Sequence, residues 1–322
     1  MKFFIASLWI YSLVLTATAE DGLNRLSTAE AETGRELLFT CPDSAVAEEV
    51  RRPNILWIIA EDMSPDLGCY GNKVVTTPNI DLLAAKGMKF NQVFTTGPAC
   101  SPSRTALATG VYQTTLGAHH MRYSKELSPA LPKPVKVLPE LMRENGYYTG
   151  NIKNVGGTGS GKDDWLFKIT GKAWDTPSWG ELVKYQPFFA QINSRQSHRG
   201  FSSAKHVSKE NIELPPYYPD HPVTRNDWAG YFGSVNKFDA QVGEILKKLE
   251  ADHLDENTIV CVFSDHGRPM IRGKNWLYDS GTRIPLIIYY PKNVKKPDGY
   301  QTGKEHSELL SSVDLVAETV LM

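Results

Sequence analysis

Three continuous apolar runs stand out along the chain, and each gives way abruptly to polar residues. They cover residues 55–60, 187–192 and 258–263, and none shows the alternation of a strand with one face in water. Runs of this length are typical of strands buried on both faces of a parallel sheet. We therefore predict three central strands of that kind.

Helical periodicity occupies the stretches between the runs. Apolar residues recur every three or four positions over residues 227–250, which predicts a long helix with one buried face. A proline before the start and a glycine after the end predict shorter helices at 79–86 and 140–145. Strands that alternate with helices indicate an α/β fold with a mainly parallel central sheet and helices on both faces.

The amino-terminal residues indicate a targeting signal. Lys2, the apolar residues 3–15 and a small-residue site predict a cleaved signal peptide over residues 1–19. This apolar run is shorter than the roughly 20 residues that a membrane span needs. We expect no membrane span and a secreted or periplasmic protein, or one of a lysosomal-type compartment in a eukaryote. Residues 20–52 are predicted to be a poorly ordered leader before a folded domain at 53–322.

Composition narrows the possible partners. The 322 residues include 35 basic and 36 acidic side chains, so the formal net charge is −1, and 41% of the residues are hydrophobic. This balance excludes a polybasic arm and an acidic disordered chain, so no nucleic-acid partner is expected. The four cysteines are too few and too scattered for a disulfide framework or a cysteine zinc site.

Acidic residues follow two of the predicted strands. Glu61 and Asp62 come directly after the first run, and Asp265 and His266 follow the run at 258–263. Open α/β sheets bind their ligands at the carboxyl ends of the strands. Carboxylate-rich sets favour Ca²⁺ or Mg²⁺ over zinc, so these residues are candidate metal ligands. The alternative is that each aspartate only caps the turn after its strand.

The segment from Pro98 to Gly110 contains the most specific motif of the chain. Its Cys100, Pro102, Ser103 and Arg104 match the C-x-P-S-R signature, and the chain therefore resembles the type I sulfatases. The resemblance implies the α/β fold of the alkaline-phosphatase-like superfamily. The resemblance extends over roughly residues 53–322. Because sulfatases usually continue into a smaller C-terminal domain, it implies that this domain is missing and that the catalytic domain is truncated. Further matching segments are Arg52–Ile55, Thr77–Asp81 and Tyr278–Leu286.

The resemblance implies a chemical role for Cys100. In the family this cysteine is oxidised by a formylglycine-generating enzyme to formylglycine, an aldehyde. A sulfate ester is an anion that resists attack, so its charge must be neutralised and an oxygen nucleophile positioned. A hydrated aldehyde offers two hydroxyls, one to attack sulfur and one to expel sulfate later. Arg104, near the start of a helix predicted to begin at Ser103, would face the anion together with backbone N–H groups.

The same resemblance implies a metal site and a ligand set for it. Asp62 and Asp265 would bind the divalent cation, expected to be Ca²⁺ rather than Mg²⁺, next to the modified Cys100. His266 stands where relatives often have Asn, and Glu61 stands where most have Asp. Because a Glu reaches one methylene further than an Asp, it can still act as a ligand.

Three more residues are implied to act on the sulfate. Lys274 matches the sulfate-binding lysine of the family, and His198 matches a histidine that would bind the sulfate or protonate the leaving group. Lys153 matches the lysine of a Gly-Lys-x-His pattern, although the glycine before it and the histidine after it are absent here. We therefore keep Lys153 as a candidate and expect no paired histidine beside it.

We predict a sulfuric ester hydrolase that acts on a sulfated carbohydrate, closest in pattern to heparan N-sulfatase and iduronate sulfatase relatives. One alternative is a phosphodiesterase or phosphonate monoester hydrolase on the same fold, and another is a non-catalytic glycan-binding descendant. Residues 156–162 resemble a nucleotide-binding P-loop, but Asp163 stands where that loop needs Ser or Thr. We expect a flexible glycine loop beside the active site instead.

Overall fold

Strands and helices alternate along much of the chain. The structure is a computed structural model, and it describes residues 52–122, 127–157, 159–201 and 204–322. The predicted signal peptide and all of the leader except Arg52 lie outside the described residues. The strands are β1 Asn54–Ala60, β2 Met88–Phe94, β3 Tyr148–Ile152, β4 Phe188–Ser194, β5 Thr258–Ser264, β6 Arg283–Tyr289, β7 Glu305–His306 and β8 Leu310–Ser311. The α-helices are α1 Pro78–Lys86, α2 Cys100–Thr109, α3 Leu138–Glu144, α4 Trp179–Leu182, α5 Pro222–Ala251, α6 Asp279–Thr282 and α7 Asp314–Leu321, and a 3-10 turn covers Gly68–Tyr70.

The strands form a single mixed sheet in the order β3-β4-β1-β5-β6-β2-β7, and β8 also pairs with β2. The pairings on both sides of β1 are parallel, as is that between β3 and β4, whereas β6 runs antiparallel to both of its neighbours. The short β7 and β8 are parallel to β2. The predicted α/β fold with a mainly parallel sheet is therefore confirmed.

The three apolar runs form the adjacent central strands β4, β1 and β5, and every residue of these strands is buried. Alternate residues of β1 face opposite layers. Leu56 and Ile58 pack in the layer of α1 and α5, whereas Ile55, Trp57 and Ile59 pack in the layer of α2, α3 and α7. Burial on both faces explains why these runs do not alternate.

All four predicted helices begin earlier than expected, α1 by one residue and α3 by two. The long helix begins at Pro222 rather than at residue 227, because His221 caps it by accepting a hydrogen bond from the Val223 amide at 3.2 Å. Helix α2 begins at Cys100 rather than at Ser103, since a proline in the first turn needs no backbone donor. The earlier start places Cys100 itself at the helix N-terminus.

The segments that contain the predicted site residues lie at one edge of the sheet. Because β6 is antiparallel to both β5 and β2, strands β1 to β5 all end at this edge and β6 begins there. The loops that follow β1, β2, β4 and β5 therefore converge, together with the loop before β6. Within the described part of the chain, none of the helices has the length and apolarity of a membrane span.

Candidate active site

Four predicted residues meet at this edge in a small buried group. Ligand atoms of Asp62, Cys100, Asp265 and His266 all lie within 4.8 Å of one another. The Cys100 Sγ is 3.3 Å from His266 Nε2 and 3.7 Å from Asp62 Oδ1. The structure therefore brings the cysteine of the signature to the acids that follow β1 and β5.

Asp265 ties the ends of two strands together. Its Oδ1 accepts hydrogen bonds from the amides of Asp62 at 3.0 Å and His266 at 2.9 Å, so it does cap the turns after β1 and β5. Its Oδ2 accepts from Arg104 Nε at 3.0 Å, and Arg104 Nη1 donates to Asn193 Oδ1 at 2.5 Å. Asp265 therefore caps the turns, as the alternative predicted, and the same carboxylate also binds Arg104.

Lys274 completes the inner part of the site. Its Nζ lies 2.8 Å and 3.0 Å from the two oxygens of Asp62 and 3.1 Å from Cys100 Sγ. The Asn275 amide donates to the Pro98 carbonyl at 2.7 Å, which fixes the lysine loop against the segment before α2. We call the following six residues the inner cluster: Asp62, Cys100, Arg104, Asp265, His266 and Lys274.

Opposite charges at short range set the protonation of the inner cluster. Burial alone would raise the pKa of Asp62, but His266 and Lys274 lower it. Burial likewise opposes ionisation of Asp265, yet the charges of His266 and Arg104 lower its pKa. Burial would lower the pKa of His266, but Asp265 and Asp62 raise it to about 10. The acids are therefore ionised at neutral pH, as metal ligands must be.

Glu61 lies beside the inner cluster with one carboxylate oxygen in use. Its Oε2 accepts a hydrogen bond from Lys162 Nζ at 3.1 Å. Its Oε1 is buried and finds no hydrogen-bond partner among the described residues. A buried carboxylate oxygen without a partner costs free energy, so it is a candidate position for a missing ligand.

The structure does not bring Lys153 to the cysteine. Its side chain is exposed, and it lines a separate cavity. The chain returns after β3, because the amides of Lys153 and Gly161 donate to the carbonyls of Gly159 and Asn151. This return places Lys162 over Glu61. The glycine-rich segment is predicted as a loop beside the site, and the lysine of its P-loop-like pattern is the one that contacts Glu61.

His198 stands at the mouth of the inner cluster. Its Nε2 is 3.9 Å from Asp62 Oδ2, and a third of its side chain is exposed. The neighbouring Ser197 hydroxyl donates to the Glu61 carbonyl, which fixes the loop after β4 against the end of β1. The histidine therefore lies between the buried carboxylate and solvent.

A chain of ion pairs that the sequence analysis did not predict runs outward from Glu61. Lys162 also lies 3.5 Å from Asp164, and Arg122 binds the two oxygens of Asp164 at 2.7 Å and 2.8 Å. Arg122 and Asp164 both adopt positive φ, 39° and 57°, which costs backbone free energy and is typical of functional sites. We call Lys162, Asp164 and Arg122 the outer chain. Lys162 is the last residue of the segment that resembles a P-loop, whereas Asp164 and Arg122 belong to no motif that would have singled them out.

The arrangement suits the binding of a tetrahedral anion next to a divalent cation. Lys274 and Lys162 supply positive charge, and the N-terminus of α2 supplies backbone donors beside Cys100. Asp62 and Asp265 supply hard oxygen ligands. The site therefore offers charge neutralisation around a reactive position at residue 100.

Known proteins resemble this chain in sequence. The chain matches the sulfatase family model over residues 53–321. It is 33% identical over 322 residues to an ulvan-active sulfatase of Formosa agariphila, covering 84% of this chain and 52% of that protein. It is 26% identical to the iduronate 2-sulfatase of Homo sapiens, covering 74% and 60% of the two proteins. The chain spans between 52% and 66% of the length of such curated relatives.

Solved structures share the fold. A structure of Ps i-CgsB aligns with a TM-score of 0.61 at 23% identity, covering 83% of this chain and 70% of that one. The phosphonate monoester hydrolase of Agrobacterium radiobacter aligns with a TM-score of 0.62 at 18% identity, covering 84% and 74%. At these identities the likeness extends to the fold alone.

Proposed function

The chain belongs to the sulfatase family, as its signature predicted, and from this premise we propose that it hydrolyses sulfate esters of carbohydrates. One observation carries the proposal. Cys100 begins a helix and lies within 3.7 Å of an acid suited to a divalent cation and of a lysine suited to an anion. Curated relatives named for sulfated sugars, such as iduronate 2-sulfatase, support a carbohydrate substrate.

We propose that the modified Cys100 is the nucleophile. Conversion to formylglycine would supply a hydrated aldehyde, an oxygen nucleophile that a thiol side chain lacks. A formylglycine-generating enzyme is the proposed partner during maturation. The predicted signal peptide supports a secreted or periplasmic protein.

The sulfatase family implies a divalent cation, and the donor set fits one. The inner cluster offers carboxylates of Asp62 and Asp265, and Glu61 adds a buried oxygen without a hydrogen-bond partner among the described residues. We propose that these three residues and His266 hold Ca²⁺, since Ca²⁺ accepts several carboxylates, whereas Mg²⁺ usually keeps several waters. Because a histidine ligand must be neutral, His266 would release its proton to solvent when the cation binds. When bound, the cation would polarise a sulfate oxygen and orient the modified residue 100.

The chain's own cations neutralise the ester in this proposal. Lys274 is the best placed to bind the sulfate, because its Nζ is 3.1 Å from the Cys100 side chain. Lys162 binds the anion from the side of Glu61 and takes the role that the sequence assigned to Lys153. Arg104 holds Asp265 in position rather than contacting substrate. His198, at the mouth, donates a proton to the departing sugar oxygen.

The decisive experiment begins with secreted full-length protein. Mass spectrometry of the peptide that contains Cys100 should show the mass of an aldehyde in place of the thiol. The same preparation should release sulfate from sulfated saccharides, lose this activity on chelation and regain it with Ca²⁺. A Cys69→Ala variant, which removes a half-buried cysteine away from the site, serves as a matched control and should remain active.

Two outcomes would favour the alternatives. Faster turnover of matched phosphate diesters or phosphonate monoesters than of sulfate esters would favour the phosphonate hydrolase hypothesis. An unmodified thiol, together with saccharide binding and no turnover, would favour the glycan-binding hypothesis. Either result would overturn the proposed sulfatase activity.

A further inference from the structure

Two loops at the active-site edge each contribute residues both to the active site and to a neighbouring cavity. The loop after β3 carries Lys162, which pairs with Glu61, and also Lys153, which points into a neighbouring cavity. The loop after β4 carries His198, which faces Asp62, and also Arg195, which lines the same cavity. The same two loops therefore line both the cavity and the site.

The cavity has the size of a ligand site. Its volume is about 450 Å³, and its walls are the ends of β3 and β4 and one face of α5. Pockets for small ligands commonly measure about 300–1,000 Å³, so one sugar residue fits. Asn193 forms part of the wall, and its side-chain oxygen accepts the hydrogen bond from Arg104. The cavity therefore begins one side chain away from the inner cluster.

The walls carry an excess of positive charge. Lys153, Arg195 and Lys237 line the cavity, against a single acidic residue, Glu244. Among the described residues, the side chains of Lys153 and Arg195 have no hydrogen bond or ion pair. Amide side chains such as Gln196 supply further donors and acceptors. Unpaired cations beside neutral hydrogen-bonding groups are suited to an anionic sugar.

We propose that this cavity binds a second anionic group of the substrate, a carboxylate or a second sulfate, while the scissile sulfate occupies the site at Cys100. The inference rests on the proposed function and makes it more specific: the substrate is a polyanionic saccharide rather than a neutral sugar with one sulfate. Lys153 and Arg195 are the residues that recognise the second anion. Their contribution is to substrate binding and not to the reaction at sulfur.

Kinetics on three matched saccharides test the proposal. One saccharide carries only the scissile sulfate, the second adds a uronate carboxylate and the third adds another sulfate. In a Lys153→Ala/Arg195→Ala variant, kcat/KM for a doubly anionic substrate should fall at least about tenfold through KM, since hydrogen bonds to charged groups are lost. Turnover of the singly sulfated substrate should stay within about twofold. The carboxylate and sulfate arms distinguish the two anions.

A matched variant controls for general loss of positive charge. Lys247 is exposed on α5 outside the cavity, so Lys247→Ala should change none of the three values of kcat/KM. Equal losses on all three substrates, or no loss on any, would overturn the inference. Loss on one doubly anionic substrate only would support it and identify the anion.

A binding measurement separates this inference from the proposed function. If the wild type hydrolyses none of the substrates, the proposed activity fails. Titration calorimetry of the doubly anionic saccharides into Cys100→Ala protein, with and without the two cavity substitutions, then tests whether the cavity binds an anion independently of turnover. Weaker binding in the substituted protein would support the cavity as an anion site, and unchanged binding would refute it.

Discussion

The inner cluster and the outer chain are both networks of opposite charges, yet they lie in different surroundings. In the inner cluster, Arg104 and Asp265 are almost fully buried and 3.0 Å apart. In the outer chain, Arg122 leaves 56% of its side chain in solvent while it binds Asp164 at 2.7 Å. Similar distances therefore do not imply similar energies, because water reaches the arginine of the outer pair and is excluded from both partners of the inner one.

The difference in burial indicates that the inner cluster and the outer chain have different roles. Buried charges keep a fixed geometry but become costly as soon as one partner is removed. Exposed charges can separate and re-form when a large ligand enters. We infer that the inner cluster holds the reacting groups and that the outer chain adjusts the entrance. The predictions below test this division, beginning with the largest expected effect.

Replacing the cysteine should give the largest loss. Cys100→Ala removes the side chain that is modified, so we expect kcat/KM on a sulfated saccharide to fall by about 10⁴-fold or more. Steady-state kinetics and calorimetric binding measure the two effects separately. Because Arg104, Asp265 and Lys274 remain, binding of the saccharide should change far less than turnover. Residual activity above about a tenth of the wild-type value would place the nucleophile elsewhere.

Removing one arginine from each network should lower the free energy of unfolding by different amounts. Arg104→Met removes the cation that hydrogen-bonds to the buried Asp265 and should lower the free energy of unfolding by about 3–5 kcal/mol. Arg122→Met is the matched control, and it should cost at most about 1 kcal/mol, because more than half of the Arg122 side chain is in solvent and Asp164 keeps Lys162 at 3.5 Å. Urea denaturation at neutral pH measures both. Equal losses would contradict the comparison.

The inner cluster and the outer chain also differ in how far they could be predicted from the sequence. Asp62, Asp265 and His266 follow buried strands directly, and the carboxyl ends of adjacent parallel strands meet. Their convergence follows from the strand order, and the signature fixed Cys100 as their partner. The central sheet was predictable for the same reason, since burial on both faces leaves a continuous apolar run.

The outer chain depends on loop paths that no periodicity encodes. The family resemblance points to Lys153 through its partial match to a Gly-Lys-x-His pattern, yet the return of the chain beside β3 presents Lys162 to Glu61 instead. Arg122 and Asp164 are 42 residues apart and meet through positive-φ turns of non-glycine residues. Neither contact has a sequence signal that a single chain reveals.

Lys162 is the link between the two networks, and its removal should have an intermediate effect. In Lys162→Ala, we expect kcat/KM to fall by about 10²-fold, because a cation that neutralises the ester is lost. Lys162→Arg should recover part of the activity, whereas Lys172→Ala, an exposed lysine on the following segment, should leave it unchanged. Steady-state kinetics on a singly sulfated saccharide measures all three. Unchanged turnover in Lys162→Ala would remove this lysine from the proposed mechanism.

The smallest effect is expected at Asp164, which joins Arg122 to Lys162. Asp164→Asn should lower kcat/KM less than about tenfold, because Lys162 keeps its hydrogen bond to Glu61. Burial would raise the pKa of Asp164, but Arg122 and Lys162 lower it. A lowered pKa means that the ion pairs stabilise the fold above the ordinary pKa of an aspartate and that this stabilisation is lost as pH falls through the lowered value.

The stability difference between wild type and Asp164→Asn should therefore be present at neutral pH and should close in acid. Urea denaturation across this pH range measures it, with Arg122→Met as a second variant that removes the same pair from the other side. A difference that persists unchanged into acid would show that Asp164 stabilises the fold through contacts other than its charge. In that case the outer chain would be part of the rigid site, and the contrast with the inner cluster would disappear.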